Sequence, residues 1–183
     1  MKVAVLRIGH RFVRDDRITT HAALVSRAFG SYKIYMTEVD DSIKETLNRV
    51  SARWGGLTEF RIEIIKDPLK LIRKWQKDGG KVIHLTMYGI NIDDVVCTIK
   101  KEDKRILVII GAEKVPGEIY ELADYNVAIG HQPHSEIAAL AIFLDRLFKG
   151  KQLRKNFAGA QRKIIPMARG KRVVEVEKAA NVI

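Results

Sequence analysis

The chain is poor in the features that build disulfides, cysteine zinc sites and membrane spans. It contains a single cysteine, Cys97, among 183 residues. One cysteine excludes an intrachain disulfide and a cysteine-based zinc site, and it suits a reducing compartment. The longest apolar runs have the length of strands, and no charged-then-apolar leader opens the chain. We therefore expect neither export nor a membrane span, and a cytoplasmic protein.

Two common phosphate-binding motifs are also missing. The first apolar run, Lys2 to Ile8, is followed by Gly9-His10-Arg11-Phe12 and not by G-x-G-x-x-G. No G-x-x-x-x-G-K-[ST] occurs anywhere in the sequence. Neither a dinucleotide fingerprint nor a triphosphate-binding loop is therefore supported.

Acidic residues are scarce relative to basic ones, with 22 Asp and Glu against 33 Lys and Arg, a formal net charge of +11. Residues 149–172 contain no acidic residue but nine basic ones, namely Lys149, Lys151, Arg154, Lys155, Arg162, Lys163, Arg169, Lys171 and Arg172. Such a segment favours a polyanionic partner, because bound phosphates release their counterions. The alternative is a solvated, charge-rich surface of the kind found in heat-adapted proteins.

Apolar runs alternate with amphipathic segments along most of the chain. The runs predict strands at Lys2–Ile8, Tyr32–Met36, Phe60–Ile65, Lys81–Leu85, Arg105–Ile110 and Val127–Ile129. Helices are predicted from Thr19 or Thr20 to Phe29, from the cap Asp40 to Trp54, from Asp67-Pro68 to before Gly79, from Asn91 to about Lys101, from Glu118 to Ala123, and from Ser135 to Leu147. Because parallel neighbours need crossover connections, this order predicts an α/β fold: a mainly parallel six-stranded sheet with helices on both faces.

The length suits one domain with a small appendage. We expect a domain at residues 1–150 and a basic C-terminal extension at residues 151–183. Within the extension, Lys163 to Pro166 and Arg172 to Val176 flank a Gly-containing turn and predict a β-hairpin.

Two predicted strands end in polar loops that begin with glycine. Gly111 to Pro116 follows one strand, and Gly130 to His134 follows the next. Glycine allows a turn or a close approach to a ligand, and ligands in open α/β sheets bind beyond the carboxyl ends of strands. The alternative is a pair of ordinary strand-to-helix connections.

Four strings carry a resemblance to a known family: GAEKVP, IGHQPHSEIAAL, HLTMYG and the less specific LRIGHR. With them, the chain from about Val3 to about Val174 resembles the archaeal tRNA cytidine-56 2'-O-methyltransferases of the SPOUT superfamily. One residue departs from the pattern, since His131 stands where that group is expected to have Asn. A backbone contact at this position would survive the change.

The resemblance implies both fold and chemistry. It implies S-adenosylmethionine held in a bent form within a C-terminal trefoil knot, methyl transfer to the ribose of cytidine 56 in the tRNA T-loop, and a homodimer. Two alternatives stay open: the same reaction on another RNA site, and a basic RNA-binding module without catalysis. The two intact glycine-started loops favour the enzyme over the non-catalytic RNA-binding module.

Residue roles follow from the matching strings. The implied cofactor-binding residues are Leu85, Gly111, Ala112, Glu113, Lys114, Val115, Ile129, Gly130, His131, Gln132, Pro133, His134, Ser135 and Glu136. Leu85, Val115 and Ile129 would sandwich the adenine, although core packing explains Leu85 and Ile129 equally well. Ser135 is also expected to cap the following helix. No metal is expected, because Pro133 and the helix start would splay the nearby histidines and Glu136, and methyl transfer needs none.

The resemblance also implies a basic residue of the N-terminal segment near the acceptor hydroxyl. The candidates are Arg17, Arg7, His21 and Arg27, in that segment and the helix after it. Arginine stays protonated and is a poor general base, but it can hold a phosphate and stabilise developing negative charge. Histidine is the residue type whose charge changes near neutral pH, but His21 sits among helix residues. We place Arg17 first, and expect Arg169, Lys171 and Arg172 to help bind tRNA.

Overall fold

The computed structural model describes residues 1–9, 16–102, 105–112 and 114–176. Its main sheet consists of β1 (Lys2–Ile8), β2 (Lys33–Met36), β3 (Arg61–Ile64), β4 (Lys81–Asn91), β5 (Arg105–Gly111) and β6 (Tyr125–Ala128). The six strands lie in the order β3-β2-β1-β5-β4-β6, and every neighbouring pair is parallel. The predicted six-stranded parallel sheet is confirmed.

Helices cover both faces of the sheet, as predicted. They are α1 (Asp16–Ala28), α2 (Asp41–Trp54), α3 (Pro68–Lys77), α4 (Ile92–Glu102), α5 (Gly117–Leu122) and α6 (Glu136–Phe148). Val3 and Val5 of β1 face one apolar cluster with residues of α1, α2, α4 and α6. Ala4 and Leu6 face a second cluster with α3 and α5. This alternation is the period of two that a buried strand requires.

Three predicted helix starts are confirmed by their caps. The carboxylate of Asp40 accepts from Ser42 N at 2.8 Å, and that of Asp67 accepts from Lys70 N at 2.9 Å ahead of Pro68. The Ser135 hydroxyl accepts from Ile137 N at 3.1 Å. Each cap satisfies a backbone donor that the helix itself leaves unpaired.

Helix α1 begins at Asp16, before the predicted Thr19 or Thr20. Thr19 is fully buried inside the helix. A threonine facing the core belongs to the body of the helix, so the predicted start was about one turn too late.

The fourth strand is longer than predicted and irregular. It runs to Asn91 instead of ending at Leu85. Leu85 and Ile90 are both partners of Val127 in β6, with a register shift between them, so residues 86–89 have no matching partners in β6. A Cβ atom on Gly89 would overlap the backbone of Asn126 and Val127. The pairing of Ile90 and Asn91 with β6 therefore extends the strand beyond the predicted end at Leu85.

The C-terminal extension forms the predicted hairpin and packs on the body. After a 3₁₀ turn at Lys151–Arg154, β7 (Arg162–Ile165) and β8 (Arg172–Glu175) pair antiparallel. Gly56 N donates to Ala158 O at 2.8 Å, and the Lys155 ammonium lies 2.9 Å from a Glu59 carboxylate oxygen. These contacts join the extension to the end of α2.

In the part of the chain that the structure describes, no helix has both the length and the apolar character needed to cross a membrane.

Candidate cofactor site

The two glycine-started loops and the end of β4 meet at one edge of the sheet. They line an open cavity of about 430 Å³. Its lining residues are His84, Leu85, Thr86, Met87, Tyr88, Gly111, Ala112, Lys114, Val115, Tyr120, Gln132, Pro133, His134 and Glu136. The cavity lies beyond the carboxyl ends of parallel strands, where open α/β sheets bind ligands. Its volume falls within the range typical of small-molecule sites.

Most of the residues expected to bind the cofactor line this cavity. The matching ones are Leu85, Gly111, Ala112, Lys114, Val115, Gln132, Pro133, His134 and Glu136. Leu85 and Val115 are buried and form apolar walls. Ile129 packs against the main apolar cluster and is not a lining residue. Glu113 lies outside the described residues.

The loop between β6 and α6 is held by its own histidines. His134 Nε2 lies 2.7 Å from Ile129 O, and its Nδ1 lies 3.1 Å from Ser135 O. His131 Nε2 lies 3.1 Å from Gly89 O, which ties this loop to the irregular part of β4. Gly130 has a φ of 70° with no atom within 4 Å of a Cβ built there, so it provides a left-handed turn beside open space. The side chain of His131 is thus engaged in a contact with Gly89, although it is exposed to solvent.

Arg7 connects the end of β1 to the start of α6. Its side chain is 1% exposed, Nη1 donates to Gly9 O at 2.9 Å, and Nη2 lies 3.4 Å from Glu136 Oε1. Gly9 N in turn donates to the Thr37 hydroxyl at 2.9 Å. Glu136 sits in the first turn of α6, where a carboxylate also interacts favourably with the helix dipole. Arg7 is therefore brought to the cavity wall through Glu136.

The other N-terminal candidates lie in different environments. Arg17 and His21 are exposed on α1. Arg27 is buried, and its Nη2 donates to Gly55 O at 2.6 Å while its guanidinium stacks 4.1 Å from the centre of the Phe157 ring. Burial lowers the pKa of Arg27, partly offset by the carboxylate of Glu59. Arg27 is not a lining residue of the cavity, and its contacts give it a structural role.

Sequence reasoning missed a buried polar group in the cavity wall. His84 is 1% exposed, and its Nδ1 lies 2.9 Å from Asn126 Oδ1. Asn126 Nδ2 donates to Tyr120 O at 2.8 Å, which leaves Oδ1 to accept from His84. Burial lowers the pKa of His84, and the hydrogen bond to Asn126 opposes this in part. Only the resemblance of HLTMYG to the family could point to His84. Its hydrogen-bond partner Asn126 lies 42 residues away, so no local spacing connects the two.

The three tail residues expected to bind RNA lie together at the hairpin tip. Arg169, Lys171 and Arg172 are all exposed, in the connection between β7 and β8 or at the start of β8. Across the described ranges, no group of three His, Cys, Asp or Glu side chains is placed to hold a metal ion.

Solved structures with a similar fold include enzymes of the TrmH/SpoU group. The chain matches a TrmH/SpoU tRNA modifying enzyme of A. aeolicus with a TM-score of 0.58 at 16% identity, over 82% of this chain and 76% of that one. It matches the SpoU methyltransferase AviRb of Streptomyces viridochromogenes, solved with AdoMet, with a TM-score of 0.59 at 14% identity, over 81% of this chain and 57% of that one. The fold is that of the SpoU and TrmH methyltransferases, the SPOUT class.

Sequence comparison identifies the family within this class. The profile of the tRNA ribose 2'-O-methyltransferase family, aTrm56, matches residues 54–174. The tRNA (cytidine(56)-2'-O)-methyltransferase of Thermococcus kodakarensis is 55% identical over 96% of this chain and 98% of its own length. The enzyme of the same name from Pyrococcus abyssi is 56% identical over 97% of this chain and 90% of its own length. This chain belongs to the aTrm56 family of tRNA ribose 2'-O-methyltransferases.

Proposed function

We propose that this protein methylates the ribose 2'-hydroxyl of cytidine 56 in tRNA, with S-adenosylmethionine as the methyl donor. The observation that carries the proposal is the single cavity formed by β4, the loop after β5 and the loop before α6. These are the segments that hold the strings shared with the family. When bound, S-adenosylmethionine supplies an electrophilic methyl group on a sulfonium, which departs as a neutral thioether.

The residues present suit an adenosine-containing ligand. Leu85 and Val115 provide buried apolar walls for a flat base, while the loops after β5 and β6 bring backbone donors and acceptors to its edge. Pockets of this type combine apolar walls with a few placed polar groups. Gly130 leaves open space where a larger residue would stand. The whole set from Leu85 to Glu136 named above, including Ile129, His131, Ser135 and Glu113, is proposed as the cofactor-binding segment.

Arg17 is proposed as the group that receives the acceptor nucleotide. Arg7 is buried and engaged with Gly9 O and Glu136, so its guanidinium already has a structural task. Arg17 is exposed in the first turn of the helix that follows β1. A guanidinium there can hold the phosphate next to the acceptor ribose and stabilise negative charge as the hydroxyl loses its proton. His21, one turn further along α1, is the second candidate.

The extension at residues 151–183 is proposed as an RNA-binding appendage of the domain at residues 1–150. Arg169, Lys171 and Arg172 project from the tip of a short hairpin and are exposed. Clustered cations of this kind bind phosphates and steer a polyanion towards the protein.

The remaining proposals concern the oligomeric state, the knotted course of the backbone and the location in the cell. A homodimer is supported by α6, whose buried face packs inside the subunit while Ile142 stays 42% exposed. The trefoil knot is supported by the fold class. A cytoplasmic location fits a single cysteine and a tRNA substrate.

The test is to incubate the protein with unmodified tRNA transcript and methyl-labelled S-adenosylmethionine, then locate the label by nuclease digestion and mass spectrometry. We expect one methyl on the ribose of cytidine 56. Label at another nucleotide would keep the reaction and refute the target. Absence of label despite measured cofactor binding would support the non-catalytic RNA-binding module.

A further inference from the structure

An aromatic side chain stands exposed at the mouth of the candidate cofactor cavity. Tyr88 lines the cavity, yet 74% of its surface is exposed to solvent. It also lines a neighbouring shallow cavity of about 490 Å³ on the other side, with Gly89, Ile90 and residues 123–126. Tyr88 therefore forms a ridge between the proposed cofactor site and open surface.

The backbone that carries Tyr88 is fixed on both sides. Leu85 before it and Ile90 after it are both paired with Val127. Gly89 lies directly against the backbone of Asn126, and its carbonyl oxygen lies 3.1 Å from His131 Nε2. An exposed ring on an anchored backbone loses little further freedom when it binds a partner.

A series of rings supports Tyr88 from beneath. The buried His84 ring meets Tyr120 edge to face, with centroids 4.6 Å apart. Tyr120 in turn lies 6.4 Å from Tyr88, with their planes tilted by 53°. The Tyr120 backbone is held by Asn126, which also holds His84. This packing orients Tyr88 from one side and leaves most of its ring in solvent.

We propose that Tyr88 is a stacking platform for the nucleobase of the nucleotide that receives the methyl group. The inference rests on the proposed function, because it assumes that an RNA ribose is brought to this cavity. The base and the ribose belong to one nucleoside. When the ribose 2'-hydroxyl lies in the cavity, its base must therefore lie close to the mouth of the cavity. Proteins hold splayed bases of RNA loops by stacking them on aromatic side chains. Tyr88 is a strongly exposed ring on the wall of the cavity, whereas Tyr120 beside it is half-buried.

The test is a double-mutant cycle between Tyr88 and the base. Wild type, Tyr88→Phe and Tyr88→Ala would be assayed for kcat/KM on tRNA with cytidine 56 and on the same tRNA with an abasic ribose at position 56. On the natural base we expect Tyr88→Ala to lower kcat/KM roughly 5- to 150-fold and Tyr88→Phe to stay near wild type. On the abasic tRNA we expect the kcat/KM of wild type to fall to the value that Tyr88→Ala shows on the natural tRNA. The kcat/KM of Tyr88→Ala should be the same on both tRNAs.

Ile90→Ala provides the matched control, since Ile90 is 56% exposed on the same irregular strand but is not a lining residue of the cofactor cavity. It should leave kcat/KM unchanged. The inference is overturned if Tyr88→Ala loses the same factor on both tRNAs, if it weakens S-adenosylmethionine binding in calorimetry, or if it changes the sedimentation of the protein. The last two outcomes would assign Tyr88 to the cofactor or to a second copy of the chain. Wild type that leaves cytidine 56 unmodified would refute the proposed function itself, and the inference with it.

Discussion

The guanidinium of Arg27 in α1 stacks on the ring of Phe157 in the C-terminal extension, 4.1 Å from its centre. The ammonium of Lys155 lies 4.6 Å from the same ring centre. Gly55 and Gly56 at the end of α2 complete the contact, because a Cβ at either position would press on Phe157. Three distant segments of the sequence are thus joined at one aromatic ring, on the side of the protein where the extension leaves the body.

This contact predicts that Arg27 supports stability and not chemistry. Arg27→Ala should lower the free energy of unfolding by about 2–4 kcal/mol, because it removes a charged hydrogen bond and a cation–π contact in a buried place. At a temperature well below unfolding, its kcat should match wild type. Arg17→Ala should show the opposite pattern, with reduced kcat and unchanged urea unfolding. Loss of turnover in a fully stable Arg27→Ala variant would refute the structural assignment.

The left-handed glycine in the loop before α6 predicts a cofactor-binding defect. Gly130→Val should abolish S-adenosylmethionine binding in calorimetry, because a branched side chain is disfavoured at this left-handed turn, which carries Gln132 and His134 to the cavity wall. The positive φ also adds strain of roughly 1–3 kcal/mol, which unfolding should report as a cooperative transition at lower denaturant. Gly150→Val is the matched control, since Gly150 has a φ of 73° and equally open surroundings but lies after α6. Similar strain with normal cofactor binding is expected there, and a binding defect in both variants would count against the site.

The close approach of β4 and β6 predicts a severe effect from one methyl group. Gly89→Ala should destabilise the protein by about 2 kcal/mol or more, because the new Cβ would overlap the backbone of Asn126, which cannot move without breaking β6. Gly117→Ala, at the first residue of α5 with no atom near its Cβ, should be neutral or stabilising by up to about 1 kcal/mol. Urea unfolding of both variants measures the difference. Equal stability of the two would show that the backbones are further apart than described.

The exposed cations of the hairpin tip predict a salt-dependent contribution to tRNA binding. Replacing Arg169, Lys171 and Arg172 with Ala should weaken tRNA binding at low salt. It should also reduce the slope of log affinity against log salt by about 2 to 3, because fewer counterions are released. A variant with Lys44, Lys77 and Lys101 replaced by Ala has the same net charge, and these three residues are also exposed. If both triple variants lose affinity equally, total charge and not the hairpin explains binding.

The buried histidine predicts a pH dependence of stability. Burial lowers the pKa of His84 from its ordinary value of 6.5, so the unfolded chain binds a proton more readily than the folded one. The contribution of neutral His84 to the free energy of unfolding is therefore complete above about pH 6.5. It is lost as pH falls through the lower pKa of the folded state. The carboxylate of Glu59, whose pKa is lowered by Lys155, acts only at more acidic pH. Denaturant unfolding between pH 7.5 and 5 should show falling stability in wild type and a flatter profile in His84→Asn. An equally steep profile in His84→Asn would assign the slope to other groups.

Local signals in the sequence were sufficient for most of the fold. Asp40, Asp67 and Ser135 predicted helix starts because an N-cap is an interaction within a few residues. Strands β1 and β5 were recognisable because strands buried on both faces are continuous apolar runs. The prediction failed at residues 86–91, because the strand was expected to end at Leu85 and the pairing of Ile90 and Asn91 with the distant β6 extends it.

The candidate site shows the same difference between features set by neighbouring residues and features set by distant ones. The loops at Gly111 and Gly130 were found because each carries its own glycine and lies after a strand. The His84–Asn126–Tyr120 contacts and the engagement of Arg7 with Glu136 join residues far apart in sequence, so no spacing announces them. The contact of Arg27 with Phe157 was not visible for the same reason, because Phe157 lies in the extension.

The position of β1 at the centre of the sheet has a consequence during synthesis. β2 and β3 follow β1 directly and can pair on one side of it as the chain emerges. The other edge of β1 is completed by Arg105–Gly111, about a hundred residues later. Until the ribosome has delivered that segment, the nascent protein presents an apolar strand edge from Val3 to Leu6, a template for pairing with other chains. The interval between the synthesis of β1 and the synthesis of β5 is therefore the stage at which this protein most needs a chaperone.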